Sequence, residues 1–338
     1  MFYVGLDIHV KHITVCVLDD CGKVYRRGQV KTIALMMDVL ESLPGPFQVC
    51  YEASTGYGCY YEVLSKAANH VAVAHPGLLK WIFRSKQKND RRDAEKLAKL
   101  LYVGEVPTVH VPTPQVRAWR ELITFRRRLI EKRTRAKNGI RGLLRSLTIQ
   151  APRKPGLWTR VGMAWLKQFP FENFMHALKR NMLVEEITTL SEQIRRVEKE
   201  LERYAANSPA VQLLRTIPGV GPRTAEAVAA FIDNPERFPH SKKIGAYFGL
   251  VPSQDQSGNT NHLGHITKEG SATVRQMVTE AVWQAVRRSP TVKAYLERVQ
   301  RGEKERRKIA IVATAHYLVR VMWSMLKHGK PWQETVVA

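Results

Sequence analysis

The chain has 338 residues, with 54 Lys and Arg against 30 Asp and Glu, a formal charge of +24 and a 44% hydrophobic share. That hydrophobic share excludes wholesale disorder, and the length suits two domains at roughly 100–200 residues each. So positive a charge makes a polyanion the first partner to consider, nucleic acid before an anionic membrane surface. The charge is uneven. Residues 1–60 are nearly neutral and the excess lies downstream, which suggests a chemical domain followed by surfaces that grip nucleic acid.

Phe2 to Asp7, Ile13 to Leu18 and Val24 to Val30 read as three strands, with Asp19-Asp20-Cys21-Gly22 as a turn signal between the last two. Residues 32–43 have helical spacing and stop before Pro44-Gly45-Pro46. Phe47 to Tyr51 is a fourth strand, 57–69 a helix and His70 to Ala74 a fifth strand. A further helix should run from Asp90 to about Val103. The order βββαβαβα fits an α/β domain of ribonuclease H-like type, a mixed sheet with helices on its faces. Pro107, Pro112 and Pro114 mark its end.

Residues 116–148 read as a very basic helix carrying Arg126, Arg127, Arg128, Arg133, Arg135, Lys137 and Arg141. A solvated helix face is the plain reading. Charge this dense repels itself, which favours contact with nucleic acid. Leu183, Ile187, Leu190, Ile194, Val197, Leu201 and Tyr204 alternate gaps of four and three, a seam at coiled-coil spacing. It could pair with the basic helix of its own chain or with another protomer. In 211–232, Pro218-Gly219-Val220-Gly221 between apolar helical stretches resembles a helix-hairpin-helix. There Gly219 and Gly221 would let backbone N–H groups approach a phosphate. An ordinary helix–helix turn is the alternative. Residues 249–286 read as a polar loop followed by an amphipathic helix, and 306–327 as a last helix.

No apolar run reaches the roughly 18 residues of a membrane span, and the N-terminus lacks a signal-peptide pattern. Cys16, Cys21, Cys50 and Cys59 form no CxxC, so they read as reduced, mostly buried thiols of a cytoplasmic protein.

Four carboxylates could converge. Asp7 closes an apolar strand, an awkward place for a charge unless it faces a site. Glu52 follows the fourth strand, which neighbours the first in this fold. Asp90 and Asp93, spaced i, i+3, share one side of a helix start. Such oxygen ligands suit one or two Mg²⁺ ions, which can clamp a phosphodiester. Each residue also has a plainer use: Asp90 as an N-cap, Asp93 against the helix dipole, Asp7 in a turn, Glu52 paired with an arginine. Ser257, or equally Ser253, could attack phosphorus if a base or metal activated it, though a loop serine is usually a hydrogen-bonding turn residue.

The stretches VGLDIHVKH (4–12), YEASTGYG (51–58), KNDRRDAEKLA (88–98), IPGVGPRTA (217–225), GLVPSQDQSGNTNHLGHITKEGSATVRQMV (249–278) and MLKHGKPW (325–332) resemble the DEDD transposases of the insertion-sequence one-ten family, including its eleven-eleven subgroup. The resemblance covers nearly the whole chain. It implies that Asp7, Glu52, Asp90 and Asp93 match the DEDD set of a RuvC-like domain, and that Ser257 matches the serine of a mainly helical C-terminal transposase domain. The family more often has a second serine where this chain has Gln256. The resemblance further implies a covalent phosphoserine–DNA intermediate and dimers or tetramers. The partners would be DNA of the element ends and target, together with a structured guide RNA. Residues 1–112, 113–206 and 207–338 would be the carboxylate domain, the basic helix with its coiled coil, and the serine domain. Lys268, Arg275 and Arg223 are further candidate phosphate contacts. Three other readings compete: a water-using nuclease or junction resolvase, an actin-like sugar kinase, and a packaging protein without catalysis. The kinase would need a second phosphate hairpin and an adenosine-binding glycine motif, and the packaging protein leaves the four carboxylates unexplained.

Overall fold

The computed structural model describes residues 1–82, 90–257 and 260–334, and of Trp81 and Asp90 the backbone alone. The chain divides into two compact units, Met1–Pro114 and Gln115–Ala338.

The N-terminal unit is built on strands β1 (Phe2–Ile8), β2 (Ile13–Leu18), β3 (Val24–Val30), β4 (Phe47–Glu52) and β5 (His70–Ala74). Its helices are α1 (Ile33–Glu41), α2 (Tyr57–Leu64), α3 (Pro76–Ile82) and α4 (Asp90–Tyr102). The sheet order is β3-β2-β1-β4-β5. β1, β2 and β3 pair antiparallel, and β4 and β5 continue parallel to β1. The Asp19 carboxylate sets the turn before β3 by accepting from the backbone N–H groups of Cys21 and Lys23. Both faces of the sheet are covered at β2, which is buried along its whole length, while the edge strand β3 is exposed. Val4, Leu6, Val49 and Tyr51 face Met36 and Leu40 of α1 and Leu64 of α2. Cys50, Ala72 and Ala74 on the other face pack with Leu97 and Leu101, and Cys16 and Leu18 with Ala94 and Ala98, all four partners on α4. Cys21 and Cys59, expected to be buried, are exposed. α3 lies where no element was expected.

Gly5 sets how closely α4 approaches. A Cβ at this position would lie 2.0 Å from the carbonyl oxygen of Ala94 and 2.5 Å from the N of Ala98, both rigid backbone. Gly5→Ala is therefore expected to cost about 3 kcal/mol or more by forcing the helix off the sheet. A urea midpoint unchanged from the native protein would rule this out.

The C-terminal unit is helical apart from one hairpin. Its first part is α5 (Pro114–Ser146), α6 (Arg160–Gln168) and α7 (Phe174–Ala206). α5 and α7 lie antiparallel: Trp119 packs on Tyr204, Arg126 bonds Glu198, Arg133 bonds Ser191, and Gly139 lies against Leu183. The heptad seam of α7 thus meets the basic helix of its own chain. Ile187 packs with Ile140, Leu190 and Ile194 with Leu129, and Leu201 joins the cluster that holds Trp119 and Ile123.

The rest is α8 (Pro209–Leu214), α9 (Pro222–Ile232), α10 (Ser241–Tyr247), the hairpin β6 (Pro252–Ser257) and β7 (Thr260–Ile266), α11 (Ala272–Ala285), α12 (Pro290–Gln300) and α13 (Arg307–His328). α9 is central, with nearly every residue buried. α13 is, by length and composition, apolar enough to cross a membrane, contrary to the sequence reading. Half of its apolar stretch is buried in the unit, as in the core helix of a globular domain. Leu318, Val319 and Met322 are fully enclosed in the core.

One buried charge is built into this core. Glu226 on α9 is 1% exposed; its carboxylate accepts from Trp119 Nε1 at 2.9 Å and Arg223 Nη1 at 2.7 Å. Burial pushes its pKa up to about 6, against the opposing effects of the Trp119 bond and the Arg223 charge. An acid whose folded pKa exceeds its unfolded value holds its proton more tightly when folded. Its contribution therefore favours folding at low pH and is lost as pH rises from 4.5 through about 6. Glu226→Gln is expected to gain about 1 kcal/mol relative to the native protein between pH 5 and pH 8. Parallel denaturation curves at the two pH values would show it, and an identical native-to-variant difference at both would refute it.

Candidate active-site residues and nucleic-acid surfaces

Asp7 and Glu52 come to neighbouring places. β1 and β4 are parallel and in register up to Leu6↔Tyr51, so the next step on each strand is Asp7 and Glu52. Both follow the alternation that turns Gly5 and Cys50 toward α4, so both belong to the α4 face. α4 crosses that face against the direction of β1. Tyr102 near its end packs on Tyr3, while Ala94 and Ala98 lie over Gly5. Its first turn, with Asp93, therefore comes to the end of the sheet where Asp7 lies. Asp90 opens the helix, but its side chain is outside the described residues.

The charges here have protein partners. His9 Nε2 lies 3.1 Å from Asp7 Oδ2, and Lys96 Nζ lies 3.0 Å from Asp93 Oδ1. Asp7 and Asp93 are half-buried and Glu52 is exposed. One observation fits a cation at this end of the sheet. Thr14 pairs directly with Asp7 across β2, is buried, and its Oγ1 has no hydrogen-bond partner. With Asp7, Glu52 and Asp93 it makes an all-oxygen donor set, the kind hard divalent ions take. The convergence is loose. Among the described residues, the trio of potential ligands whose atoms lie within 4.8 Å of one another is Asp19, Asp20 and Cys21, the turn before β3.

Ser257 sits on a hairpin, where the sequence reading expected a loop. It is the last residue of β6, is exposed, and pairs with Thr260 of β7, whose Oγ1 donates to the Ser257 carbonyl at 2.7 Å. Gly258 and Asn259 lie outside the described residues. The foot of the hairpin is fixed by two close backbone approaches. Gly249 and Gly270 both have positive φ, and a Cβ would lie 2.3 Å from Glu269 N at the first and 2.0 Å from Tyr247 O at the second. Asp255 and His262, paired across the hairpin, share the face of Ser257, and the sequence reading did not single them out.

The candidate phosphate contacts divide into two groups. Arg126 is held by Glu198, Arg127 by Glu131 and Thr273, and Arg133 by Ser191. Lys137 and Arg141 lie over the Trp158 ring. Arg223 is bound between Glu202 and Glu226, and Arg275 donates to the carbonyls of Phe248, Glu269 and Gly270. At Gly219, with φ +89°, a Cβ would lie 2.4 Å from Ala285 N, so this glycine lets the turn pack on α11. Gly221 caps α9 with open space beside it. Arg128, Arg135 and Lys268 are exposed. Lys132 and Arg145, not picked out from the sequence, are exposed on the same helix; Lys132, four residues after Arg128 and three before Arg135, joins these two in one stripe, and Arg145 lies off it.

The fold sets carboxylates at one strand end of a mixed sheet and an exposed serine on a separate, mainly helical unit, and comparison with known proteins gives the class of protein. The family model for the DEDD transposases of IS110 matches residues 4–149, and the model described as the transposase IS116/IS110/IS902 family matches residues 211–297. The chain belongs to the IS110 family of insertion-sequence transposases. It is 28% identical to a Pseudomonas aeruginosa protein named "Probable family 20 transposase", over 96% of each chain. It is also 28% identical to the transposase for insertion sequence element IS1111A of Coxiella burnetii, over 97% of this chain and 90% of that one. With the transposase for IS1328 of Yersinia enterocolitica it shares 26% identity, over 96% of this chain and 97% of that one.

Proposed function

We propose that this chain cuts and rejoins the DNA of an insertion sequence through a phosphoserine-linked strand, with Mg²⁺ held by Asp7, Glu52, Asp90 and Asp93 in a RuvC-like, ribonuclease H-like domain. The observation that carries the reading is the placement of Asp7 beside Glu52 at one end of the sheet, under the first turn of α4. Bound Mg²⁺, one ion or two, would supply positive charge against the phosphate oxygens and lower the pKa of a hydroxyl nearby. Ser257 Oγ gives up its proton to solvent and attacks phosphorus. Its O–P bond forms as the bond to the leaving strand breaks, and that strand departs as a hydroxyl that takes up a proton. The serine ester keeps the energy of the phosphodiester for rejoining.

In this reading residues 1–112 carry the carboxylates, 113–206 grip nucleic acid, and 207–338 carry the serine. Arg128, Lys132 and Arg135 form the outward stripe of α5 that meets phosphates. Arg126, Arg223 and Arg275 hold the fold. A structured guide RNA chooses the element ends and target, and the protein acts as a dimer or tetramer in the bacterial cytoplasm.

The test is a trap. The protein is incubated with Mg²⁺, the candidate guide RNA and end-labelled junction DNA, then run on a denaturing gel. A labelled protein–DNA adduct, absent when the metal is chelated, supports the proposal. DNA cut without any adduct favours a nuclease that uses water.

A further inference from the structure

The hairpin that carries Ser257 opens at its foot onto a groove along α11. Ala272, Gln276, Thr279 and Trp283 recur at gaps of four, three and four, with Arg275 beside Gln276, so they share one face over roughly 16 Å. Two cavities meet on that face. One, of about 430 Å³, lies at the hairpin foot among Leu250, Ile266, Lys268 and the first half of α11. The other, of about 790 Å³, lies between Trp283 and the start of α13, with Lys304, Arg307 and Lys308 around it. Thr279 and Val312 line both, so the groove is continuous.

Its chemistry is that of a strand-binding channel. Lys268 stands at one end and Lys304, Arg307 and Lys308 at the other, against Glu280 and Glu305. Lys268, Lys304 and Lys308 make no ion pair among the described residues, so their charge is free for a ligand. Trp283 is 39% exposed, and the Arg307 guanidinium lies 4.9 Å from its ring centroid. A large ring at the water boundary, with cations around it and an apolar floor of Ile311 and Val312, suits a flat apolar group tethered to phosphates.

We infer that this groove is a track for a single nucleic-acid strand, with a base stacked on the Trp283–Arg307 pair and phosphates on Lys268, Lys304 and Lys308. A duplex keeps its bases in its own stack and offers none to the ring. At about 3.4 Å per stacked base, 16 Å holds a few nucleotides. The inference rests on the nucleic-acid reading of the chain and adds to it a path for the strand beside the serine.

The test uses the full-length protein and a short fluorescent oligonucleotide, as single-stranded DNA, single-stranded RNA of the same sequence, and duplex DNA, followed by anisotropy. Trp283→Ala is expected to weaken binding of both single strands about ten-fold and leave the duplex unchanged, while Trp283→Phe restores most of the loss. Two results would overturn the track. One is single strands bound equally by the native protein and by Trp283→Ala; the other is equal losses for single strands and duplex. If Trp283→Ala misfolds, Trp283→Phe and Lys304→Ala still decide: the first must bind single strands nearly as native, the second more weakly. The adduct trap separates the two proposals. A native protein that forms the adduct while single-strand binding ignores Trp283 refutes the track alone.

Discussion

Asp7→Asn is expected to lower DNA strand cleavage by at least about a thousand-fold while leaving the melting temperature close to native. Asparagine keeps the shape of the side chain and removes its charge. The strand around it is held by backbone pairing to β2 and β4 and by Val4 and Leu6 in the core, none of which needs the carboxylate. What is lost is a negative charge at the end of the sheet, beside Glu52 and opposite the unsatisfied hydroxyl of Thr14, the charge proposed to bind Mg²⁺. A cation held there would stabilise charge developing at the phosphate, and several kcal/mol of such stabilisation corresponds to three or more powers of ten in rate. The contact with His9 is not the cause, because the amide of the variant side chain keeps an oxygen that His9 can reach. The measurement is single-turnover cleavage with saturating Mg²⁺, with thermal denaturation alongside. Cleavage at the native rate would return Asp7 to the role of a strand-end residue and strengthen the reading of a nucleic-acid binder without catalysis.

The N-terminal unit was legible in the sequence because β1, β2, β4 and β5 are short runs of apolar β-formers bounded by turn residues. β3 is exposed along nearly its whole length and was legible instead from the turn signal Asp19-Asp20-Cys21-Gly22 before it; both β2 and β3 begin and end where expected. The neighbourhood of Asp7 and Glu52 was legible once β1 and β4 were taken as adjacent. The path of α4 over them was not, since it depends on Gly5 admitting a helix backbone, a contact no local pattern announces. The hairpin β6–β7 was missed for a different reason. Both of its faces are exposed, so SQDQS and TNHLGHI carry no apolar alternation, and a strand without a buried face reads as a loop. Charge counting also misled. Arg126, Arg223 and Arg275 add to a basic total that points to a polyanion, yet each is fastened to a carboxylate or carbonyl within the fold. At Gly219 the motif suggested an approach of phosphate, and the structure shows a packing reason for the glycine that the motif does not announce, the close approach of α11. The heptad seam of α7 left its partner open, because spacing specifies a helix partner without naming it. The structure supplies α5 of the same chain.

Ser257→Ala is expected to abolish the covalent protein–DNA adduct, to below about a thousandth of the native yield, and rejoining with it. The hydroxyl is exposed at the end of β6, and the hairpin pairing Ser257↔Thr260 uses backbone groups that alanine retains. Folding should therefore be unchanged, and the loss would report chemistry. A nucleophile cannot be replaced by its neighbours unless they reach the same phosphate. Ser253 provides the comparison: it lies four residues back on the same face of β6, where a Cβ on Gly264 would come 2.5 Å from its Oγ. Ser253→Ala should form the adduct as the native protein does. The outcomes separate the mechanisms. If Ser257→Ala still cuts DNA at the native rate and the native protein never yields an adduct, water is the nucleophile and the carboxylates alone perform the chemistry. If the adduct persists in Ser257→Ala and disappears in Ser253→Ala, the attacking group is Ser253, and the assignment drawn from the family's pattern moves four residues down the strand. If Ser257→Ala alone loses the adduct, the hairpin is the element that presents the nucleophile. Its two pinning glycines, Gly249 and Gly270, would then be what holds that nucleophile steady above the unit.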